Sequence, residues 1–148
     1  MSLSNQTSKL DAQANISLTP EESFAGIMLA AVAIDGFMAE EELQNCLTSL
    51  KRTKLFKNYS KEYVLETLKK LIKIVKEHNA DILLELSLPN LPEYLYETVF
   101  AIATDITLSD GALFDEELQM LSKLSKSLSI PEVTVDEIIK VMMIKNKG

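Results

Sequence analysis

From residue 19 onward, apolar positions recur every three or four residues, and no stretch shows the sustained alternation of a half-buried strand. The pattern predicts an all-α fold of about seven helices. Thr19-Pro20-Glu21-Glu22 reads as a helix start, with Thr19 as cap, Pro20 at the first helical position and Glu22 closing a capping box. The helix that follows, about 20–34, is apolar nearly all round through Phe24, Ile27, Met28, Ala31 and Ile34, as a central helix should be. Asp35-Gly36 stops it. Amphipathic helices are predicted at about 40–51, on a Leu43/Leu47/Leu50 stripe, and at about 61–78, capped by Ser60. A short helix is predicted at 81–86, then a second apolar helix at about 92–108 and an amphipathic one at 115–128 carrying Leu118, Leu121, Leu124 and Leu128. After Pro131, the capping box Thr134-x-x-Glu137 opens a last helix carrying Ile138, Val141, Met142 and Ile144, with the Met142-Met143 pair expected in the core.

The pattern repeats once. Asp35-Gly36-Phe37-Met38-Ala39-Glu40-Glu41-Glu42-Leu43-Gln44 returns 75 positions later as Asp110-Gly111-Ala112-Leu113-Phe114-Asp115-Glu116-Glu117-Leu118-Gln119, with six of ten residues identical. Each copy follows an apolar helix and opens an amphipathic one. The repeat therefore predicts two central apolar helices, about 20–34 and 92–108, surrounded by amphipathic ones. Two copies this far apart do not make a solenoid. The domain organisation read here is a loosely ordered polar segment, 1–18, and one helical domain, 19–148.

Composition narrows the functional classes. The single cysteine, Cys46, has no intramolecular disulfide partner, so a reducing cytoplasm is the expected setting. The longest strongly apolar run, Phe24 to Ile34, is 11 residues, too short to span a bilayer. Net charge is −7, but residues 51–76 hold nine of the fifteen basic groups and only two acids, a local balance of +7 against −14 for the rest. The acidic remainder argues against nucleic acid as a partner, and the lysines read as a solvated helix face.

Only the acidic turns suggest a site. In an EF-hand register Asp35 or Asp110 takes position 5, the glycine position 6, and Glu42 or Glu117 position 12. Positions 1 and 3 are Ala31 and Ala33 in one copy, Ile106 and Leu108 in the other, so neither copy alone has a calcium loop's ligands. The plain reading is a helix-stop glycine followed by a dipole-matched acidic helix start. The functional reading needs both copies together: Asp35, Glu42, Asp110 and Glu117, helped by Asp105, sharing one calcium or magnesium ion, with no other cofactor required. His78 has no nucleophile around it, and Cys46 reads as a buried apolar thiol. Four isolated glycines form no phosphate loop, and no catalytic set is visible, so no enzyme is expected.

The two phrases Ala33-Ile34-Asp35-Gly36 to Leu43 and Leu108-Ser109-Asp110-Gly111 to Leu118 resemble the tellurite-resistance TerB-like family, over about residues 20–146. The resemblance implies an all-α fold with two central helices and a bacterial, cytoplasmic protein of stress and tellurite resistance. It implies metal binding at Asp35, Glu42, Asp110 and Glu117, and a role as an interaction module, with membrane association through partners. The expectation is thus a non-enzymatic stress-response binding module. The alternative is a protein-interaction scaffold with no metal site. A protein partner and a homodimer are the associations expected, with no nucleic acid and no transmembrane segment.

Overall fold

The computed structural model describes residues 16–33, 38–110 and 115–148, the side chain of Asp110 excepted. Among these it contains seven α-helices: α1 (Pro20–Val32), α2 (Glu40–Arg52), α3 (Lys61–Glu77), α4 (Ala80–Ser87), α5 (Tyr96–Thr107), α6 (Asp115–Ser127) and α7 (Glu132–Lys145). Short 3-10 turns lie at Leu88–Asn90, Glu93–Leu95 and Leu108–Asp110. None of the described helices is long and apolar enough to cross a membrane.

Local chemistry starts most of these helices. Thr19 Oγ1 accepts the Glu22 N–H at 3.1 Å, and Glu22 Oε1 accepts the Thr19 N–H at 2.9 Å, a reciprocal box at the head of α1. Glu22 also takes the Lys70 ammonium at 2.6 Å, which ties α1 to α3. Burial pushes the Glu22 carboxyl up, but Lys70 and the Thr19 N–H outweigh it and hold its pKa below the usual range. Ser60 Oγ caps α3 by accepting from Tyr63 N at 3.1 Å, and Asn79 Oδ1 caps α4 by accepting from Ile82 N at 2.8 Å.

The expected pair of central apolar helices is not what the fold contains. One helix holds the centre. In α1 every residue from Ser23 to Ala31 is buried. It is enclosed by α4, α5 and α3, with α6 and α2 completing the shell. Its repeat counterpart differs. The stretch expected as one helix over 92–108 is a 3-10 turn, Glu93–Leu95, then α5, then a second 3-10 turn. α5 also has a wet side: Val99, Phe100, Ala103 and Ile106 are buried, while Glu97 and Thr98 are exposed. The reason lies in what covers each helix. α1 has neighbours on all sides, whereas α5 has charged and polar positions that must reach water. The second halves of the repeat do match: α2 and α6 are both 13 residues and start 75 positions apart.

Close packing around α1 depends on its small residues. A Cβ at Gly26 would sit 2.3 Å from Ser87 Oγ, so α4 crosses α1 closely enough that any larger residue at 26 must displace the Ser87 hydroxyl. Ile16 and Leu18, ahead of the expected domain boundary at 19, also pack on the core, and the Leu18 carbonyl accepts from Asn90 Nδ2 at 2.8 Å.

α6 ends in a Schellman arrangement. The Ile130 N–H donates to Ser125 O and the Ser129 N–H to Lys126 O, each at 3.0 Å, with Ser129 in the left-handed region at φ 55°. That turn and Pro131 launch α7 at Glu132, three residues before the start that Thr134-x-x-Glu137 suggested. Thr134 lies inside the helix instead, its N–H donating to Pro131 O.

Candidate functional site

The two acidic turns do approach each other. Glu42, from the first turn of α2, and Glu117, from the first turn of α6, line one cleft of about 450 Å³ with Val32, Ile106 and Thr107. Pseudo-equivalent helix starts thus meet across the ends of α1 and α5. The described residues of the cleft do not make a cation site. Asp35 and the side chain of Asp110 lie outside the described residues. Glu42 has a structural task, its Oε1 accepting the Ala39 N–H at 3.2 Å at the head of α2. Asp105, the expected helper, faces α7, where its Oδ1 accepts from Lys145 Nζ at 3.1 Å and Asn146 Nδ2 at 2.8 Å. Among the described residues no three His, Cys, Asp or Glu side chains gather as a metal would need. Three carboxylates line the cleft, Glu41, Glu42 and Glu117, but they do not gather closely enough to supply the six to eight oxygens that calcium requires. The divalent cation expected from the sequence is therefore withdrawn.

A second cleft, of about 470 Å³, lies between α3 and the start of α2. Its floor is apolar: Met38, Leu43, Ile72 and Val75. Its rim is Lys69, Lys73 and Lys76, spaced i, i+4, i+7 along the exposed side of α3. Lys69 is 3.7 Å from Glu66 and Lys73 is 3.9 Å from Glu77, both long contacts between well-exposed side chains. Pairs of that kind contribute about 1 kcal/mol at most, so these ammonium groups remain open to a stronger partner. Lys70, on the adjacent face, is held by Glu22. Sequence reasoning saw the lysines but not the cleft. The lysine spacing was a signal; the apolar floor was not, because Met38 and Leu43 come from α2 and the residues just ahead of it, far along the chain.

No family model, curated protein or solved structure matches this chain. The resemblance to the TerB-like family finds no support there, and the tellurite and stress-resistance roles that it implied are withdrawn. With the cation gone too, the metal-binding reading of the domain falls, and the interaction reading is better backed by what the fold offers.

Cys46 is fully buried in α2, and burial together with the nearby Glu42 charge pushes its thiol up to about 12. Thiolate is the reactive form, and here it is both scarce and inaccessible. Labelling of native protein by a disulfide reagent is expected to run at least about a thousandfold slower than in denaturant, because it must wait for opening. Comparable rates in the two states would show that the thiol is not enclosed. His78 is the C-cap of α3, where its N–H donates to Ile74 O, a structural position.

Proposed function

We propose that this is a non-catalytic protein-interaction domain of the reducing cytoplasm that captures an acidic, apolar-anchored helix of a partner protein. The lysine-rimmed cleft between α2 and α3 carries this reading. An apolar floor favours leucine- or phenylalanine-type anchors, and three lysines on one side favour glutamates flanking them. The uneven charge of the chain supports the same partner, since its +7 segment lies in a molecule of net −7. A nucleic acid would gain from the lysines but not from the apolar floor. The tyrosines nearest in sequence, Tyr59 and Tyr63, stack on each other with centroids 4.6 Å apart, which occupies one face of each ring.

The test is a fluorescence-anisotropy titration with a designed amphipathic peptide bearing a leucine stripe and a glutamate face. Micromolar binding that weakens as salt rises is expected, and K69E/K73E should lower affinity at least about tenfold. A version with serines for leucines should lose most of its affinity. Absence of saturable binding at millimolar peptide, or binding indifferent to both the lysine reversals and the leucines, would remove the reading.

A further inference from the structure

The last helix is the most poorly covered of the described α-helices. No residue of α7 is fully buried. It packs on α5 through a face that includes Val135 and Ile138. Its other face mixes charged residues with exposed apolar ones: Val133 is 67% exposed, Val141 56%, Met143 51% and Ile144 57%. The neighbouring Leu118 of α6, expected in the core stripe, is 43% exposed. Among the described residues no element covers these apolar side chains. Met143 was expected in the core, and Val141 and Ile144 were among the apolar positions the last helix carries; none of the three is buried. They stay outside the core because α5 covers only the side of α7 that carries Val135 and Ile138.

Charge tells what belongs on the strip. Along α7 the acids come first, Glu132, Asp136 and Glu137, and the bases last, Lys140 and Lys145, with Lys147 just beyond. Lys145 is engaged by Asp105. Asp136, Glu137, Lys140 and Lys147 make no ion pair among the described residues, and all are exposed. Acid-first order also suits the helix's own dipole, but the dipole gives no reason for valine, methionine and isoleucine to share that face.

At about 100° per residue, Val133, Glu137, Lys140 and Ile144 fall within an arc of about 60°. They form a seam spaced i, i+4, i+7, i+11, with an apolar residue at each end and an opposed charge pair between. This seam is self-complementary when reversed. A second copy laid antiparallel, with a two-fold axis between positions 138 and 139, sets Val133 against Ile144. The same register sets Glu137 against Lys140, and symmetry makes each contact twice. One register thus satisfies both the apolar ends and the charged middle. We infer that α7 is the self-association surface of the protein, pairing antiparallel with α7 of a second copy. Leu118 and Met143 flank the seam and become part of its apolar margin.

Sedimentation of the whole chain across a concentration series tests this. A monomer–dimer equilibrium with a dissociation constant on the order of micromolar is expected. Ile144→Asp should abolish the dimer and leave the helical circular-dichroism spectrum unchanged, because that side chain is solvent-exposed in the monomer. Glu137→Lys alone, or Lys140→Glu alone, turns two attractive pairs into two repulsive ones and should weaken the dimer roughly tenfold. The double reversal Glu137→Lys/Lys140→Glu should restore it, which only the antiparallel register allows. A wild-type chain that stays monomeric at every concentration would overturn the inference. So would a dimer that tolerates Ile144→Asp, or a double reversal weaker than both single ones. None of these residues lines the lysine-rimmed cleft, so peptide capture and dimerisation succeed or fail separately.

Discussion

Ala30→Asp is expected to leave no folded population at room temperature, while Ala101→Asp is expected to fold and melt cooperatively. Both substitutions place the same carboxylate in an apolar helix, and both positions belong to what the repeat suggested were twin central helices. Ala30 lies in α1 with no exposed surface, among Ile27, Met28 and Leu29, which have none either. An unpaired charge there costs several kcal/mol, and keeping the group neutral still leaves its hydroxyl and carbonyl without partners. The extra volume adds about 1–3 kcal/mol of strain in a packed core. Total stability of a domain this size is about 5–15 kcal/mol, so the sum removes most or all of it. Ala101 is half-buried on α5 and has a route to water, so its cost is about 1 kcal/mol, mainly lost helix propensity. Thermal melts followed by circular dichroism decide the matter. Similar losses at the two sites would mean that α5 is as central as α1.

The second large effect is at the crossing of α1 and α4. Gly26→Ala should destabilise the protein by about 1–2 kcal/mol, although alanine is the better helix former by about 1 kcal/mol. The added methyl would fall 2.3 Å from Ser87 Oγ, which donates to Leu83 O at 2.7 Å in a buried position. To make room the hydroxyl must rotate away and lose that bond, which costs about 1–3 kcal/mol for a buried group left unsatisfied. Beyond the hydroxyl, the nearest atoms are Leu83 Cδ1 and Ser87 Cβ, both at 3.4 Å, a contact that small adjustments accommodate. Removing the hydroxyl should therefore invert the sign. In a Ser87→Ala background, Gly26→Ala should be neutral or stabilising by up to about 1 kcal/mol. The double-mutant cycle measured by urea unfolding reads this coupling directly. Equal destabilisation in the two backgrounds would mean that the hydroxyl is not the obstacle.

How far the fold was legible follows from how far each signal reaches. The Thr19/Glu22 box and the Ser60 cap were readable because both partners lie within three residues. The heads of α2 and α6 were readable for the same reason, from their acidic first turns. Thr134-x-x-Glu137 misled because a competing local device, the Schellman end of α6 followed by Pro131, started α7 earlier. The candidate site was less legible. The repeat left open whether its two copies meet; Glu42 and Glu117 do line one cleft, with Glu41, but carboxylates that share a cleft are not thereby a coordination site. The lysine-rimmed cleft escaped notice because a helical wheel of α3 shows its own face and nothing of the Met38 and Leu43 that meet it.

By itself, the sequence determined the helical class, most helix boundaries and the polarity of charge, because these rest on contacts within one turn and on composition. Tertiary structure alone decided which apolar helix is enclosed, that Gly26 admits α4, and that Val133, Val141, Met143 and Ile144 stay exposed. Those outcomes depend on which distant elements lie against each face. An apolar residue is compatible with a core, but whether it enters one depends on what arrives to cover it.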